Sequence, residues 1–322
     1  MKFFKNKLLQ MILRRIIQSV IVLLFVTLLV FLVMQAVPGD PIINFLGEAA
    51  TPEQIAYFTA LFGFDQPVLV QYFRWITGLF QGEMGRSVTF QMQISDIIFE
   101  RLGTTLLLVI PAFIISVVFG VAFGVIAALR RGKFLDSAVT FFANVGMAMP
   151  NFWMGILGIY IFALTLGVLP VQGFVSPTQD LGESIHRLIM PVIITASGPL
   201  AVFTRQTRSA MLEVVRQDYV RTAEAKGLDS RNIIIKHQLR NALIPIVTVM
   251  GVMLGAMIGT TVLIESIFVI PGIGSLMITA IRSSDYLVIQ NGVLLLAVAV
   301  CVCNLAVDIL YGVIDPRIRD AK

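Results

Sequence analysis

Long apolar runs, separated by short charged stretches, dominate the pattern along the chain. Six of them reach or approach the length of a membrane-spanning helix: Ile16–Val37, Leu102–Leu129, a span inside Ser137–Gln179, Leu188–Thr204, Asn241–Ile264 and Tyr286–Val307. A spanning helix needs about 20 mostly apolar residues. Leu188–Thr204 sits at the short limit and contains Pro191 and Pro199. Prolines persist in membrane helices because neighbours re-satisfy the freed backbone groups. Ser137–Gln179 carries no charge and could hold one span or two. Ser266–Ile281 is also uncharged, but it is short and broken by Pro271-Gly272-Ile273-Gly274. It predicts a re-entrant or surface element.

Charge parity decides the count. One span around Gly146–Leu166 puts residues 1–15, 130–136, 205–240 and 308–322 on one side, with 19 of the 24 Lys and Arg. The other side holds only Arg74, Arg86, Arg101, Arg187 and Arg282. That asymmetry is the positive-inside pattern. Two spans would place the basic 205–240 segment outside. The predicted fold class is therefore an all-α membrane protein with six transmembrane helices and both termini cytoplasmic. Residues 1–15 form a cytoplasmic N-terminus, 16–37 the first span, 38–101 an external segment, and 102–322 a core with the other five spans. The first run is read as a retained span: its 22 apolar residues exceed the about 7–15 of a signal peptide. Met34-Gln35-Ala36 is also a poor cleavage site.

The loops carry further elements. In the external segment, Thr51-Pro52-Glu53-Gln54 reads as a helix start: Thr51 caps, Pro52 is the first helical residue and Gln54 completes a capping box. Gly63 is a natural stop. A second helix follows Pro67, with an amphipathic stripe of Leu69, Phe73, Ile76 and Phe80 suited to a membrane surface. The segment is either a packed outer cap or a docking surface for an external partner. On the cytoplasmic side, Leu212, Val215, Tyr219 and Ala223 fall on one helical face. That helix is expected to end at Gly227, with Lys226 in its last turn. Asp229 or Ser230 can cap a second helix running toward Pro245. This helix–turn–helix has small residues, Ala223, Ala225 and Gly227, at its bend. The residues alone leave it as a compact loop or as a contact surface.

Composition agrees with a lipid environment. Hydrophobic residues make up 57% and charged residues 13% of the chain, against about 25% charged in soluble domains. The net charge of +5 is spread over cytoplasmic loops, where topology and anionic lipid account for it and nucleic acid is not implied. Cys301 and Cys303 lie two apart in the last span and point in different directions, which disfavours a disulfide. Gly251, Gly255 and Gly259 recur every four residues in the fifth span, as do Gly120 and Gly124 in the second. Both are small-xxx-small faces for helix packing. Met250, Met253 and Met257 form a neighbouring stripe that core packing explains. Asn144, Asn151, Trp153, Ser197 and Thr248 are polar or aromatic positions on the spans that packing explains equally well.

Catalytic patterns are missing from the sequence. There is no GxxxxGK[ST] for ATP, no HExxH and no GxSxG, and the two histidines, His186 and His237, fall in or beside loops. No catalytic residue, metal ligand or cofactor is therefore expected on this chain. Charges within the spans are nearly absent, with Asp308 at the cytoplasmic end of the last. A proton-coupled carrier or an intramembrane enzyme needs ionisable groups at membrane depth. A six-helix protein without an energy source of its own points to an energised partner.

Asp218-Tyr219-Val220-Arg221-Thr222-Ala223-Glu224-Ala225-Lys226-Gly227-Leu228, followed by Arg240-Asn241-Ala242-Leu243-Ile244-Pro245, resembles the cytoplasmic coupling motif of ABC importer permeases. The match is closest to the dipeptide/oligopeptide/nickel branch. The general motif is Glu-Ala-Ala-x3-Gly-x9-Ile-x-Leu-Pro. Here Arg221 and Thr222 replace the first Glu-Ala, and 17 residues separate Gly227 from Pro245. Those departures resemble the branch's own version, but they weaken any role assigned to the missing Glu. Pro38-Gly39-Asp40-Pro41, Leu69 to Trp75, Gly82 to Ser87, Ala128 to Gly132, Pro150-Asn151-Phe152-Trp153, Pro271 to Gly274 and Asp315-Pro316-Arg317 extend the resemblance over nearly the whole chain. The long outer segment resembles the first-listed permease of a pair.

The resemblance implies a multi-pass permease of the bacterial inner membrane that pairs with a homologous second permease. Two cytoplasmic ATP-binding subunits, which hold the ATP and Mg, would dock on the coupling helices, one per permease. An extracytoplasmic substrate-binding protein would deliver cargo. It implies ATPase coupling for Tyr219, Arg221, Thr222, Ala223, Glu224, Ala225, Lys226, Gly227 and Leu228. The expected cargo is a short peptide, with nickel or a metal chelate, glutathione or a sugar as rivals. A stand-alone secondary carrier is the more distant rival.

Overall fold

The computed structural model describes residues 2–37, 41–46 and 50–314. Pro38-Gly39-Asp40 and Asp315-Pro316-Arg317 lie outside the described residues. The helices in chain order are α1 (Lys2–Ala36), α2 (Pro41–Leu46), α3 (Pro52–Phe62), α4 (Val68–Gln81), α5 (Ile94–Leu129), α6 (Phe134–Ala148) and α7 (Asn151–Gly158). They continue with α8 (Leu181–Val214), α9 (Asp218–Ala225), α10 (Ser230–Asn232), α11 (Arg240–Ile267), α12 (Ile273–Arg282) and α13 (Tyr286–Ile314). Five helical stretches are long and apolar enough to cross a membrane, or six if one bent pair counts as a span. By contacts the chain divides into two units. One comprises Met1–Arg15, Leu106–Ile270 and Val300–Lys322, the other Ile16–Thr105 and Pro271–Ala299.

The second of these units holds the described part of residues 38–101. Thr51 caps α3 with the expected box: its Oγ1 accepts the Gln54 N–H, and Gln54 Oε1 accepts the Thr51 N–H at 3.0 Å. Gly63 ends α3 in the left-handed region at φ +75°. α4 packs through Trp75, with Tyr72, Ile76 and Leu79, onto Val30 and Phe31 of α1. Ile76 thus belongs to the packed side, because the Trp75 ring stacks on Phe31 at 6.4 Å and turns that face inward. Leu69, Phe73 and Phe80 remain exposed, so α4 has two apolar faces where the stripe predicts one.

A buried carboxylate organises the same unit. Asp285 precedes α13 and accepts the Ser87 hydroxyl at 2.6 Å and the Thr89 N–H at 3.0 Å. It also takes the Val288 N–H at 3.3 Å, inside the first turn of α13. The charge is held by three donors and by the positive end of a helix, which fixes the 83–93 loop to α13. The short apolar helix expected after Pro271-Gly272 is α12, and its Ile273 N–H is capped by Thr105 Oγ1 at 2.9 Å. It packs through Ile273, Leu276 and Ala280 on Ile94 and Ile98.

In the other unit α5 and α8 meet closely. A Cβ on Gly120 would stand 2.6 Å from Phe203 Cβ, and one on Gly124 would stand 2.5 Å from Thr207 Cβ. Only glycine lets these backbones approach. α8 keeps Pro191 and Pro199 inside one helix of 34 residues, much longer than the Leu188–Thr204 core. Arg15 pairs with Asp308 at 3.1 Å, so the acid at the end of the last span has a cationic partner.

The third span differs from expectation. No single helix covers Gly146–Leu166; α6 and the stretch Asn151–Thr165 meet at an angle of 102°. Pro150 is the cause. It has no N–H to continue α6 and forces Met149 out of the helical region, to φ −87° and ψ 126°. The three-glycine face of the fifth span also differs. Gly251 faces Val307 at 2.9 Å and Gly255 faces Val300 at 3.4 Å, but nothing lies within 4 Å of a Cβ on Gly259. Gly259 is exposed and has no close helix neighbour among the described residues, so the expected packing face extends only over Gly251 and Gly255.

Candidate functional site

The cytoplasmic segment after α8 is a compact two-helix turn. α8 stops at Val214, and Arg216-Gln217 break the chain before α9. The single face expected from Leu212 through Val215 and Tyr219 to Ala223 is therefore split. Leu212 packs with Met211 and Ala242, whereas Val215 is exposed. α9 is a separate helix of eight residues, with Asp218 in its first turn, where an anion suits the dipole.

α9 ends in a Schellman motif. The Leu228 N–H reaches the Ala223 carbonyl at 3.3 Å and the Gly227 N–H reaches the Glu224 carbonyl at 2.9 Å. Gly227 takes φ +73°, which costs a non-glycine residue about 1 kcal/mol or more. Asp229 then stands at the start of the next helical stretch, although its side chain makes no cap hydrogen bond there.

That stretch is not a short second helix. Helical backbone runs without a break through Ser230–Ile267, 38 residues. Ile233–Leu239 widens to π geometry before Pro245 enters the helix. The lost Pro245 donor is absorbed inside a continuous rod. The rod joins the turn directly to the fifth span.

The turn is fastened to this rod on its inner side. Val220, Ala223 and Ile233 form a buried cluster with Val214 packed against it. Asn241 Nδ2 donates to the Tyr219 hydroxyl at 3.1 Å and to the His237 carbonyl at 2.7 Å. Ala223 is only 5% exposed, so it belongs to the chain's own packing and is not available to a partner. The other expected residues face outward. Tyr219, Arg221, Thr222, Glu224, Ala225, Lys226, Gly227 and Leu228 are all exposed. Within that set Arg221 lies 3.8 Å from Asp218, and the Thr222 hydroxyl is turned to the Asp218 carbonyl. Nothing lies within 4 Å of a Cβ placed on Gly227. The turn therefore presents a convex surface with open space at its tip.

A second fastening joins α6 to α8 beside this turn. Arg208 Nε and Nη2 hold the two Asp136 carboxylate oxygens at 2.6 and 2.8 Å. The Gly132 N–H adds a third bond at 3.0 Å. Sequence reasoning missed this pair. Its one signal was that Asp136 is the lone acid in the basic 130–136 segment. Val220, Ile233 and Asn241 were also missed as anchors of the turn.

The sequence matches a family of known proteins over most of its length. Residues 120–320 match the family model of the binding-protein-dependent transport system inner membrane component, and residues 8–109 match the N-terminal model of the same membrane component. The chain belongs to this family. Its relatives span almost the same length. The oligopeptide transport system permease protein AppB of Bacillus subtilis is 38% identical over 96% of this chain and 98% of its own. The di/tripeptide transport system permease protein DppB of Pseudomonas aeruginosa is 40% identical over 92% of this chain and 95% of its own. A putative peptide transport system permease protein of Brucella abortus is 39% identical, again over 96% and 98%. Among solved structures, a chain of the inward-facing MetNI methionine ABC transporter superposes with a TM-score of 0.56, covering 68% of this chain and 96% of that one at 17% identity. The fold is thus that of an ABC transporter membrane chain. As a member of this family the protein is a multi-pass inner membrane transport component.

Proposed function

We propose that this chain is the permease half of an ATP-driven importer of short peptides. The fastened turn at α9 carries that reading: it is a rigid element, open on its outer side and continuous with a membrane helix. Relatives at 38–40% identity over more than nine-tenths of the chain are named for peptide transport, which supports peptides as cargo. A homologous second permease completes the path, and an external binding protein supplies the peptide. Two ATP-binding subunits, which hold ATP and Mg, dock one on each permease. Non-catalytic itself, the chain converts their closure into a change of access.

The geometry supports a route for the coupling. A cleft on an ATP-binding subunit grips the outward side of α9 around Glu224–Leu228. Val220, Ala223 and Ile233 make the turn and the rod move as one body. At 1.5 Å per residue the Ser230–Ile267 rod is roughly 55 Å long, so displacement at its cytoplasmic end is delivered along the fifth span. Gly251 and Gly255 then pass the motion to α13 at Val307 and Val300.

The test is a gentle solubilisation of tagged chain followed by identification of the co-purifying proteins and peptide uptake in proteoliposomes. A second permease with ATP-binding subunits, and uptake that needs ATP, are expected. A chain that purifies alone and supports uptake without ATP sinks this reading in favour of a secondary carrier.

A further inference from the structure

We propose that a cavity in the unit holding the external segment binds a short peptide through both of its free termini, apart from the path across the membrane. The proposal rests on the peptide-importer reading above. The cavity measures about 690 Å³ and lies among α1, α3, α4, the 83–86 loop and the start of α13. That volume is in the range of about 300–1,000 Å³ typical of small-molecule sites.

Its floor is aromatic and amide. Trp75 and Tyr286 are buried beneath it, and the Trp75 ring is held by the Asn291 carboxamide at 3.3 Å. Gln290 also lines the cavity; the residue is only 5% exposed, and its carboxamide is not among the buried polar groups left without a partner. A peptide group offers one donor and one acceptor, which is the complement of that carboxamide.

The rim carries both signs of charge. Arg74, Glu83 and Arg86 are exposed at the edge of the cavity, and none is paired with an opposite charge among the described residues. Arg86 is aimed by the Gln91 carbonyl, which accepts from Nε at 3.0 Å and Nη2 at 2.8 Å. This leaves Nη1 for a ligand. Arginine binds carboxylate through charge-assisted hydrogen bonds, and Glu83 complements an ammonium group. A zwitterion uses both signs, whereas an anionic lipid headgroup leaves Glu83 repelled. An apolar side chain of the peptide rests on Trp75.

The test uses the assembled transporter in nanodiscs without the external binding protein. The probe is the tripeptide Ala-benzoylphenylalanine-Ala. On illumination it is expected to label residues within 31–37, 59–64, 71–86 or 286–290. Blocking both termini of the probe raises its half-saturating concentration about tenfold. Arg74→Gln, Glu83→Gln and Gln290→Leu each do the same; the first two change exposed side chains and leave folding intact. Labelling elsewhere, labelling indifferent to these changes, or a phospholipid in the cavity that the tripeptide does not displace overturns the proposal. Uptake of unmodified tri-alanine is measured alongside with the binding protein added. ATP-driven uptake without cavity labelling sinks the cavity alone, and cavity labelling without uptake sinks the importer reading alone.

Discussion

Asn241, at the start of the fifth membrane helix, donates a hydrogen bond to the hydroxyl of Tyr219, on the cytoplasmic turn, at 3.1 Å. The bond crosses from the part of the turn that faces outward to the rod that enters the membrane. It is exposed, so its net worth is about 1 kcal/mol, but it fixes the angle at which α9 stands. Asn241→Ala is expected to raise the ATP consumed per peptide imported by about threefold to fivefold. Tyr219→Phe should do the same, and the double variant should be no worse than either. Additive losses would show that the two residues act separately.

Ala223 tests the inner side of the turn. It is buried against Val220 and Ile233, and a larger side chain there overpacks the cluster, at about 1–3 kcal/mol. Ala223→Leu is expected to loosen α9, seen as faster protease cleavage within 215–230 and lower uptake at normal expression. Ala225→Leu, on the exposed side, should leave protease resistance unchanged while lowering co-purification of the ATP-binding subunits and, with it, uptake.

Much of this was legible in the sequence, and the limits have physical causes. Helix starts and stops are local: Thr51, Pro52 and Gln54 fixed the start of α3, and Gly63 and Gly227 fixed two ends. Apolar length located the helices long enough to cross a membrane, apart from the third, which is broken. What failed was set by distant contacts or by backbone continuity. Asp136 and Arg208 are 72 positions apart and meet only because α6 packs against α8. Ala223 carries the same motif signature as its exposed neighbours, and only packing on Ile233 buries it. Pro150 and Pro245 are both prolines in apolar helical stretches, yet one gives a bend of 102° and the other is absorbed in a rod. Local pattern does not separate these outcomes, because each depends on what re-satisfies the freed backbone.

The Asp136–Arg208 pair should be structural. Its carboxylate is buried while the guanidinium keeps some solvent contact, so losing the acid costs about 2 kcal/mol, below the range for a fully buried pair. Asp136→Asn is expected to lower Tm in detergent by several degrees. Exchange of the two residues, Asp136→Arg with Arg208→Asp, should recover part of that loss. A Tm unchanged by Asp136→Asn would contradict the role given to the pair.

The glycines separate by what they face. Gly124→Val places atoms against Thr207 and the Thr204 carbonyl, where a Cβ already stands at 2.5 and 2.6 Å. It is expected to abolish folded protein in the membrane. Gly259→Ala meets nothing within 4 Å and should leave Tm unchanged or slightly higher, since alanine favours helix by about 1 kcal/mol. Equal loss of protein in both variants would contradict the packing described for α5 and α8.

The proposed function turns on whether an ATP-binding subunit docks on the outward side of α9. The direct measurement places a photo-crosslinking amino acid at Glu224 in the co-expressed complex, with Phe80 of α4, 88% exposed, as control. Gly227→Asn and Gly227→Asp accompany it. Asparagine tolerates the left-handed backbone, so the two variants together separate side-chain bulk and charge from strain. An ATP-binding subunit is expected to crosslink from Glu224 and none from Phe80, with the crosslink and uptake reduced in Gly227→Asn and lost in Gly227→Asp. A complex that imports normally with Gly227→Asp at normal expression, or that gives no ATP-binding subunit from Glu224, would contradict that docking.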